Sequence, residues 1–120
     1  MSSSVLNLEI DSLTDYYLDT IYTDYVTNLP ISLSGYSAKM EVRTAYNDPN
    51  LLLTLSSSNG RILLGIDGTV LVHFIPADTD PSQQTTSWSH AVYDLMLVDP
   101  NGITIKLLSG MIDVVGTVSY

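Results

Sequence analysis

The sequence predicts an all-β domain that folds as an antiparallel β-sandwich of the immunoglobulin-like type. Apolar residues recur at every second position in several segments, which is typical of strands with one buried face. Short turns rich in Gly, Asn, Asp and Pro separate these segments, and no segment has the period and length of a long helix. A small closed barrel is the alternative architecture.

The clearest strand covers residues 36–43. Ala38, Met40 and Val42 alternate there with polar and charged residues. A shift of register by one residue would bury those charges, so the face directed toward the core is well determined.

Two further strands follow from the same pattern. Residues 70–75 are apolar on both faces, so we expect a central strand, which Pro76 ends. Residues 87–98 predict a long strand with a bulge near Ser89, because Trp88 is out of phase with the later apolar positions.

The C-terminal part predicts a hairpin and a last strand. Residues 99–102, Asp-Pro-Asn-Gly, form a tight turn, because Pro fixes φ at its second position and Gly permits a positive φ at its end. Residues 103–107 continue as the return strand. A last strand follows at residues 111–118, in which Gly116 marks a weak point or a bulge.

The middle of the chain predicts a meander. Turn sequences at residues 58–60 and 67–68 separate short apolar runs at residues 51–55, 61–66 and 69–75.

The two remaining segments are less regular. Residues 5–26 fit either strands or one amphipathic helical turn, and their β-branched and aromatic residues favour strands. Residues 76–84 predict a loop, with one turn of helix, if any, started by Asp78 or Asp80.

The length of 120 residues predicts one domain over residues 1–120, and 45% hydrophobic residues suffice for one core. Within it, residues 1–27 form a Tyr/Asp-rich N-terminal segment that we expect to contact a partner. The chain has no cysteine, so disulfides and thiolate zinc sites are excluded. The start lacks a signal-peptide pattern and no apolar run reaches the ~18 residues of a membrane helix, so we expect a soluble protein.

The charge balance narrows the class of partner. The chain has 13 acidic and 4 basic residues, for a formal net charge of -9. Repulsion from phosphates argues against a nucleic-acid partner and against an anionic membrane surface. Solubility alone is a sufficient reason for the excess of acid.

Catalytic chemistry has little support. The histidines are His73, within an apolar strand, and His90, which has no nucleophile signature beside it. We interpret His73 as a satisfied core or interface histidine. The glycines match neither a phosphate loop nor a dinucleotide fingerprint. We therefore predict no enzyme, no catalytic residues, no cofactor and no small-molecule substrate.

Calcium is the cation for which the sequence offers candidate ligands. Four aspartates lie near one end of the chain and two in a later loop: Asp11, Asp15, Asp19, Asp24, Asp78 and Asp80. The spacing does not match a calcium-binding loop with its distant Glu. Turn formation and solvation explain these residues, and we predict no metal site.

Aromatic residues supply the candidate binding site. Tyrosine offers a large apolar face with a polar tip, which suits contacts between proteins. A single Trp makes a carbohydrate platform less well supported, although that alternative stays open. The predicted partner-binding residues are Tyr16, Tyr17, Tyr22, Tyr25 and Trp88.

Two blocks resemble small proteins from the structural modules of tailed bacteriophages. Residues 31–43, Ile-Ser-Leu-Ser-Gly-Tyr-Ser-Ala-Lys-Met-Glu-Val-Arg, are similar to that family's Leu-Thr-Gly-Tyr-x-Ala-x-Met-x-Ile/Val-Arg signature. Residues 92–102, Val-Tyr-Asp-Leu-Met-Leu-Val-Asp-Pro-Asn-Gly, and 106–110, Lys-Leu-Leu-Ser-Gly, resemble its Tyr-Asp-Leu-x-Leu-x-Asp-x-x-Gly and Leu-Leu-x-Gly pieces. The similarity covers most of residues 18–118, and Ser34 replaces the usual Thr.

This resemblance implies an immunoglobulin-like domain built into a virion, in the tail, the baseplate or the fibre-attachment region, where it would act as a fibre adaptor. It implies that the partners are other virion structural proteins, that the protein is oligomeric in the particle, and that it is made in the host cytoplasm. The family has no catalytic residues. A capsid decoration or neck protein and a carbohydrate-binding module for host attachment are the alternatives.

Overall fold

The computed structural model describes residues 4–11, 13–24, 26–49, 51–79 and 90–115. Tyr25, Trp88 and the features expected at Asp80, Ser89 and Gly116 lie outside these ranges. The elements are β1 (Ser4–Val5), β2 (Leu8–Asp11), β3 (Tyr16–Ile21), β4 (Ser37–Arg43), β5 (Leu53–Ser56), β6 (Ile62–Leu64), β7 (Thr69–Phe74), α1 (Pro76–Thr79), β8 (His90–Val98) and β9 (Thr104–Val115).

The strands form two sheets. The larger, 6-stranded sheet has the order β1-β9-β8-β4-β5, with β2 also pairing with β9. The smaller, 3-stranded sheet has the order β3-β7-β6. All pairings are antiparallel except those of β1 and β2, which run parallel to β9. These orders are those of the B-E-D and G-F-C strands of an immunoglobulin-like sandwich, so the predicted fold class is confirmed.

Alternation along the strands builds the core between the sheets. In β4 the predicted inward set of Ala38, Met40 and Val42 is buried, and β8 follows the same rhythm. The central position predicted for β7 is also confirmed, because it lies between β3 and β6. The largest fully buried side chains are Tyr93, Phe74, Ile10, Met40, Leu55, Ile62, Leu95, Leu97, Ile112, Val42, Val70 and Val72.

The N-terminal segment is part of the sandwich, and the preference for strands there is confirmed. Its first two strands extend the larger sheet, and β3 pairs with β7 in the smaller one. Residues 4–11 and 13–21 therefore contribute to both layers, with Ile10 and Leu18 in the core.

The predicted meander is wrong at one connection. Strand β5 pairs with β4 in the larger sheet, whereas β6 pairs with β7 in the smaller sheet. The chain crosses between layers at the turn that contains Gly60. The turns themselves are confirmed, since Gly60 has a φ of 80° and Gly68 a φ of 85°, a region that glycine adopts without strain.

The C-terminal strands differ from the prediction in their division and in which residues of β9 face the core. The hairpin is confirmed, and the Gly102 N–H donates to the Asp99 carbonyl over 2.9 Å. Residues 104–115 form one strand, β9, and the expected division before residue 111 is absent. A bulge lies within it, because Leu95 pairs with Leu108 while Met96 pairs with Lys106. The extra residue shifts the buried face by one position.

The single helical turn begins earlier than predicted. Pro76 opens α1, a position that suits its fixed φ and missing N–H. Asp78 is the third helical residue, and its buried carboxylate accepts a 2.9 Å hydrogen bond from the Ile75 N–H and pairs with Arg61. In the part of the chain that the structure describes, no helix is long and apolar enough to cross a membrane.

Candidate protein-binding surface

The structure separates the predicted tyrosines. Tyr16 is half-buried, and its ring meets Phe74 edge-on with centroids 6.0 Å apart. Tyr22 is 6% exposed and packs against Tyr36 at 6.4 Å. Tyr22 is therefore a core residue, and its predicted role in partner contact is corrected on that ground.

The phase of β3 explains this separation. Successive side chains of a strand point to opposite faces, and Leu18 is buried. Tyr16 shares the inward face with Leu18, whereas Tyr17, Asp19 and Ile21 point away from the core. Tyr16 and Tyr17 thus lie on opposite faces and do not form one aromatic platform.

Among the predicted residues that the structure describes, Tyr17 is the one that is exposed, with 57% of its surface accessible. Its ring stacks on His73 of β7 with centroids 4.3 Å apart and planes at 11°. His73 Nε2 lies 2.8 Å from an Asp15 carboxylate oxygen. The ring of His73 is therefore satisfied, as predicted, but its place in the core is wrong, because His73 lies on the outward side of the smaller sheet.

We call the outward side of the smaller sheet the outer face. It joins residues from all three of its strands: Tyr17, Asp19, Ile21, Leu63, Leu71 and His73. Leu71 lies between Asp19 on β3 and Leu63 on β6. Ile21 is 53% exposed and Leu63 is 62% exposed, so the face is largely apolar, with Asp19 as its one acidic member.

A second apolar region continues from the end of β3. The connections from β3 to β4, from β6 to β7 and from β8 to β9 pack together there. The Leu33 N–H donates to the Gly65 carbonyl at 3.3 Å, and Gly35 lies close to Pro100. We call this region the loop end. Its exposed apolar side chains are Val26, Leu29, Ile66 and Ile103.

Aspartates shape the turns of the loop end. Asp24 Oδ1 accepts the Val26 N–H at 2.8 Å, and Asp99 Oδ1 accepts the Ile103 N–H at 2.9 Å. Hydrogen bonds from Thr69 lower the pKa of Asp67 below its ordinary value. These carboxylates therefore hold the turns and leave negative charge beside the exposed apolar groups.

The outward side of the larger sheet carries the paired charges. Glu41 lies 3.2 Å from Lys39 Nζ and 3.1 Å from an Arg43 nitrogen. Burial by itself raises the pKa of Glu41, but the hydrogen bonds from its two basic neighbours outweigh burial, and the pKa falls below its ordinary value. A Lys106–Asp94 pair at 3.3 Å and a His90–Asp113 pair at 2.6 Å lie on the same side.

The charge distribution is therefore uneven. All four basic residues of the sequence, Lys39, Arg43, Arg61 and Lys106, form ion pairs. Arg61 alone belongs to the smaller sheet's side, and its partner Asp78 is buried. The outer face consequently presents acid without a neighbouring free lysine or arginine.

The described residues include no group of three or more His, Asp or Glu side chains placed to hold a metal ion. The aspartates near the start of the chain are dispersed: Asp11 ends β2, Asp19 lies within β3, and Asp15 and Asp24 lie outside the strands. Asp15 contacts His73, and Asp24 accepts backbone N–H groups.

Sequence reasoning missed Asp19, Ile21 and Leu63 as members of this surface. Alternation in β3 was a usable signal for the first two, because a buried Leu18 fixes which side chains point outward. Leu63 gave no such signal, since its place depends on the pairing of β6 with β7.

No protein-family model matches the sequence, and no curated protein matches it. Among solved structures, the chain is similar to Drosophila OTK, extracellular domains 3–5, with 16% sequence identity and a TM-score of 0.40. The alignment covers 92% of this chain and 33% of that chain, so this chain spans about a third of the structure that it matches. The fold assignment rests on the strand order, and the chain is an immunoglobulin-like β-sandwich.

Proposed function

We propose that the chain is a non-enzymatic structural protein of a tailed bacteriophage, located in the tail, the baseplate or the fibre-attachment region, that binds neighbouring virion proteins. Support comes from the two blocks that resemble phage structural proteins. They supply β4, β8 and the first half of β9, which are neighbours in the larger sheet. The two blocks therefore form a continuous part of the larger sheet.

The observation that carries a binding role is the set of exposed apolar side chains on the outer face and the loop end, which hold seven of the fourteen exposed large apolar side chains among the described residues. Tyr17, Ile21 and Leu63 are each more than half exposed. Exposed apolar side chains that lie next to one another are typical of surfaces that a partner covers. The outward side of the larger sheet also exposes Met111 but carries the paired charges, and we propose that it remains in water.

Purified particles test the proposal directly. Mass spectrometry of the particles should detect the protein, and a reconstruction should place copies at symmetry-related positions with the outer face or the loop end against another chain. In a complementation assay, Leu63→Lys should reduce incorporation, whereas Thr54→Lys on the larger sheet should not. Absence of the protein from purified particles would overturn the proposal.

Two alternatives predict other outcomes. A capsid decoration or neck protein would differ in its copy number per particle, which quantitative mass spectrometry measures. A carbohydrate-binding module for host attachment would use the exposed ring of Tyr17, which is already stacked on His73. Glycan binding that is lost in Tyr17→Ala would favour this alternative.

A further inference from the structure

Strand β3 has one open edge. It pairs with β7, and among the described residues no strand pairs with its other side. The Tyr22 N–H donates to the Gly68 carbonyl at 2.8 Å in continuation of the β3–β7 register. Alternate residues of a strand direct their backbone groups to opposite edges, so the even-numbered residues of β3 bond to β7.

The β6–β7 pairing agrees with this assignment. The His73 N–H donates to the Arg61 carbonyl at 2.8 Å, so the odd-numbered residues of β7 bond to β6 and the even-numbered ones to β3. Tyr17, Asp19 and Ile21 therefore direct their N–H and C=O groups to the open edge.

The edge of β5 is protected. Its outward-directed backbone groups belong to Thr54 and Ser56, because the Ser57 N–H bonds to Ala38 of β4. The Asn59 side chain donates to the Thr54 carbonyl at 3.2 Å and accepts the Ser56 N–H at 3.0 Å. The turn after β5 thus occupies the Thr54 carbonyl and both backbone groups of Ser56.

The remaining edges are short or interrupted. Strand β6 has 3 residues. The edge formed by β1 and β2 is broken at Leu6 and Asn7, where the Asn7 side chain accepts the Met111 N–H at 3.0 Å. Natural proteins protect edges with short strands, bulges, proline or charged side chains, above all lysine. The 6 residues of β3, Tyr-Tyr-Leu-Asp-Thr-Ile, include no lysine, proline or bulge, and Asp19 is their single charged residue.

We infer that the open edge of β3 binds an extended segment of a partner protein, which adds to the smaller sheet as its next strand. Main-chain hydrogen bonds to Tyr17, Asp19 and Ile21 supply affinity that does not depend on the partner's sequence, and side-chain contacts supply selectivity. This inference deepens the proposed function, because it names the edge and the chemistry of the partner.

Charge defines the partner segment. On the outer face, a partner residue opposite Asp19 meets a carboxylate, and the partner residues two positions before and after it meet Tyr17 and Ile21. A lysine or arginine with an apolar side chain two positions to either side fits this pattern, since opposite charges across neighbouring strands stabilise a sheet. A second copy of this chain fits less well, because each copy carries a net charge of -9 and brings the acidic β3 with it.

Hydrogen exchange followed by NMR on the full chain tests whether the edge is open. We expect the amides of Tyr17, Asp19 and Ile21 to exchange at least ten times faster than those of Leu18 and Thr20, which bond to β7. Protection of the odd-numbered amides at every protein concentration would mean that the chain itself fills the edge, and would overturn the inference.

A synthetic strand tests the occupant. The probe is acetyl-Arg-Val-Thr-Lys-Thr-Leu-Thr-amide, and the control is the same peptide with Glu in place of Lys. The lysine peptide should slow exchange at the three open amides by tenfold or more and bind more tightly than the control. Absence of protection at millimolar peptide, or equal binding of both peptides, would overturn the inference.

Variants separate the edge from the fold. Ile21→Pro removes an N–H that faces the open edge and spares the bonds to β7, so it should weaken peptide binding at least tenfold. Thr54→Pro, on the edge of β5, is the matched control and should leave binding unchanged. If Ile21→Pro does not fold, Asp19→Lys tests the inference instead. The Asp19→Lys protein should bind the glutamate peptide more tightly than the lysine peptide.

Two further outcomes would each overturn one part of the proposal. Protection of the odd-numbered amides that grows with protein concentration would indicate pairing of two copies and would overturn the partner named here. Peptide binding by a protein absent from virions would overturn the proposed function and leave the strand-binding edge intact.

Discussion

Replacing Tyr93 by Phe removes one buried hydrogen bond between distant parts of the sandwich. Tyr93 lies on β8 and is 1% exposed. Its hydroxyl donates to the Leu6 carbonyl over 2.6 Å, at the break between β1 and β2. The bond therefore ties the first strands of the chain to the middle of the larger sheet.

The size of the effect follows from this geometry. A hydrogen bond contributes about 1 kcal/mol, and a partly buried carbonyl left without its donor adds to the cost, so we expect a loss of about 1–2 kcal/mol. The entropy of unfolding for a domain of this length is roughly 0.25 kcal/mol/K, so Tm should fall by about 4–8 °C.

A second consequence appears at alkaline pH. Burial, together with the nearby Tyr16 and Tyr46, raises the pKa of Tyr93 to about 12. The ordinary pKa of tyrosine is about 10, so the folded state favours the neutral phenol. This contribution is complete below about pH 10 and is lost as the pH rises through the folded pKa. Two pKa units correspond to about 3 kcal/mol, and Tyr93→Phe lacks this term.

Thermal and urea unfolding of the wild type, Tyr93→Phe and the control Tyr17→Phe would measure both effects. The control removes a hydroxyl from the outer face and should shift Tm by less than about 2 °C. The loss of stability between pH 9 and pH 12 should be smaller in Tyr93→Phe than in the wild type. An unchanged Tm together with an unchanged alkaline slope would refute the reasoning.

Three other substitutions have defined outcomes. In Gly110→Ala the new Cβ would lie 2.2 Å from the Leu6 carbonyl oxygen, so β1 and β2 must move, and urea unfolding should show a loss of roughly 1–3 kcal/mol; an unchanged midpoint would contradict this close approach. The lowered pKa of Glu41 stabilises the fold above its unfolded pKa of about 4.3, and this contribution disappears as the pH falls through the folded pKa. The difference in stability between the wild type and Glu41→Gln should therefore be smaller at pH 3 than at pH 7, and a constant difference would speak against the ion pairs. Arg61→Ala leaves the buried carboxylate of Asp78 without its guanidinium and should cost about 3 kcal/mol by denaturant unfolding. Asp78→Asn in the same chain should restore part of that loss, and a further loss instead would show that the carboxylate does not depend on the arginine.

The sequence alone was sufficient for the strands whose pattern is local. The alternation in β4 places each charge outside the core whatever the neighbouring strands are, and Pro76 ends β7 by its own geometry. The fold class followed from such strands and from the turns at Gly60, Gly68 and Gly102. These features depend on residues that are close in sequence.

The features that were missed depend on distant pairing. Nothing near residues 53–64 indicates that the chain changes sheets between β5 and β6, because both strands are short and apolar. The stacking of Tyr17 on His73 and the contact of His73 with Asp15 require the pairing of β3 with β7.

The tyrosines are an intermediate case. The two-residue period places Tyr16 on the inward phase of β3 and Tyr17 on its outward phase, and Tyr22, which follows β3, continues the inward phase. In a strand over residues 16–21, the apolar Leu18 indicates which side chains face the core. The exposure of the outer face still required the three-dimensional arrangement of the sheet.

The parallel pairing of the first strands with β9 has a mechanical consequence. Strand β1 registers Ser4 with Leu108, and β2 registers Asp11 with Val115, so both strands point the same way as β9. A force that pulls Ser4 backward and Val115 forward slides these strands past each other instead of peeling them apart. The inter-strand hydrogen bonds then share the load at once, and stretching the chain in a single-molecule pulling experiment should give an abrupt rupture instead of a gradual extension.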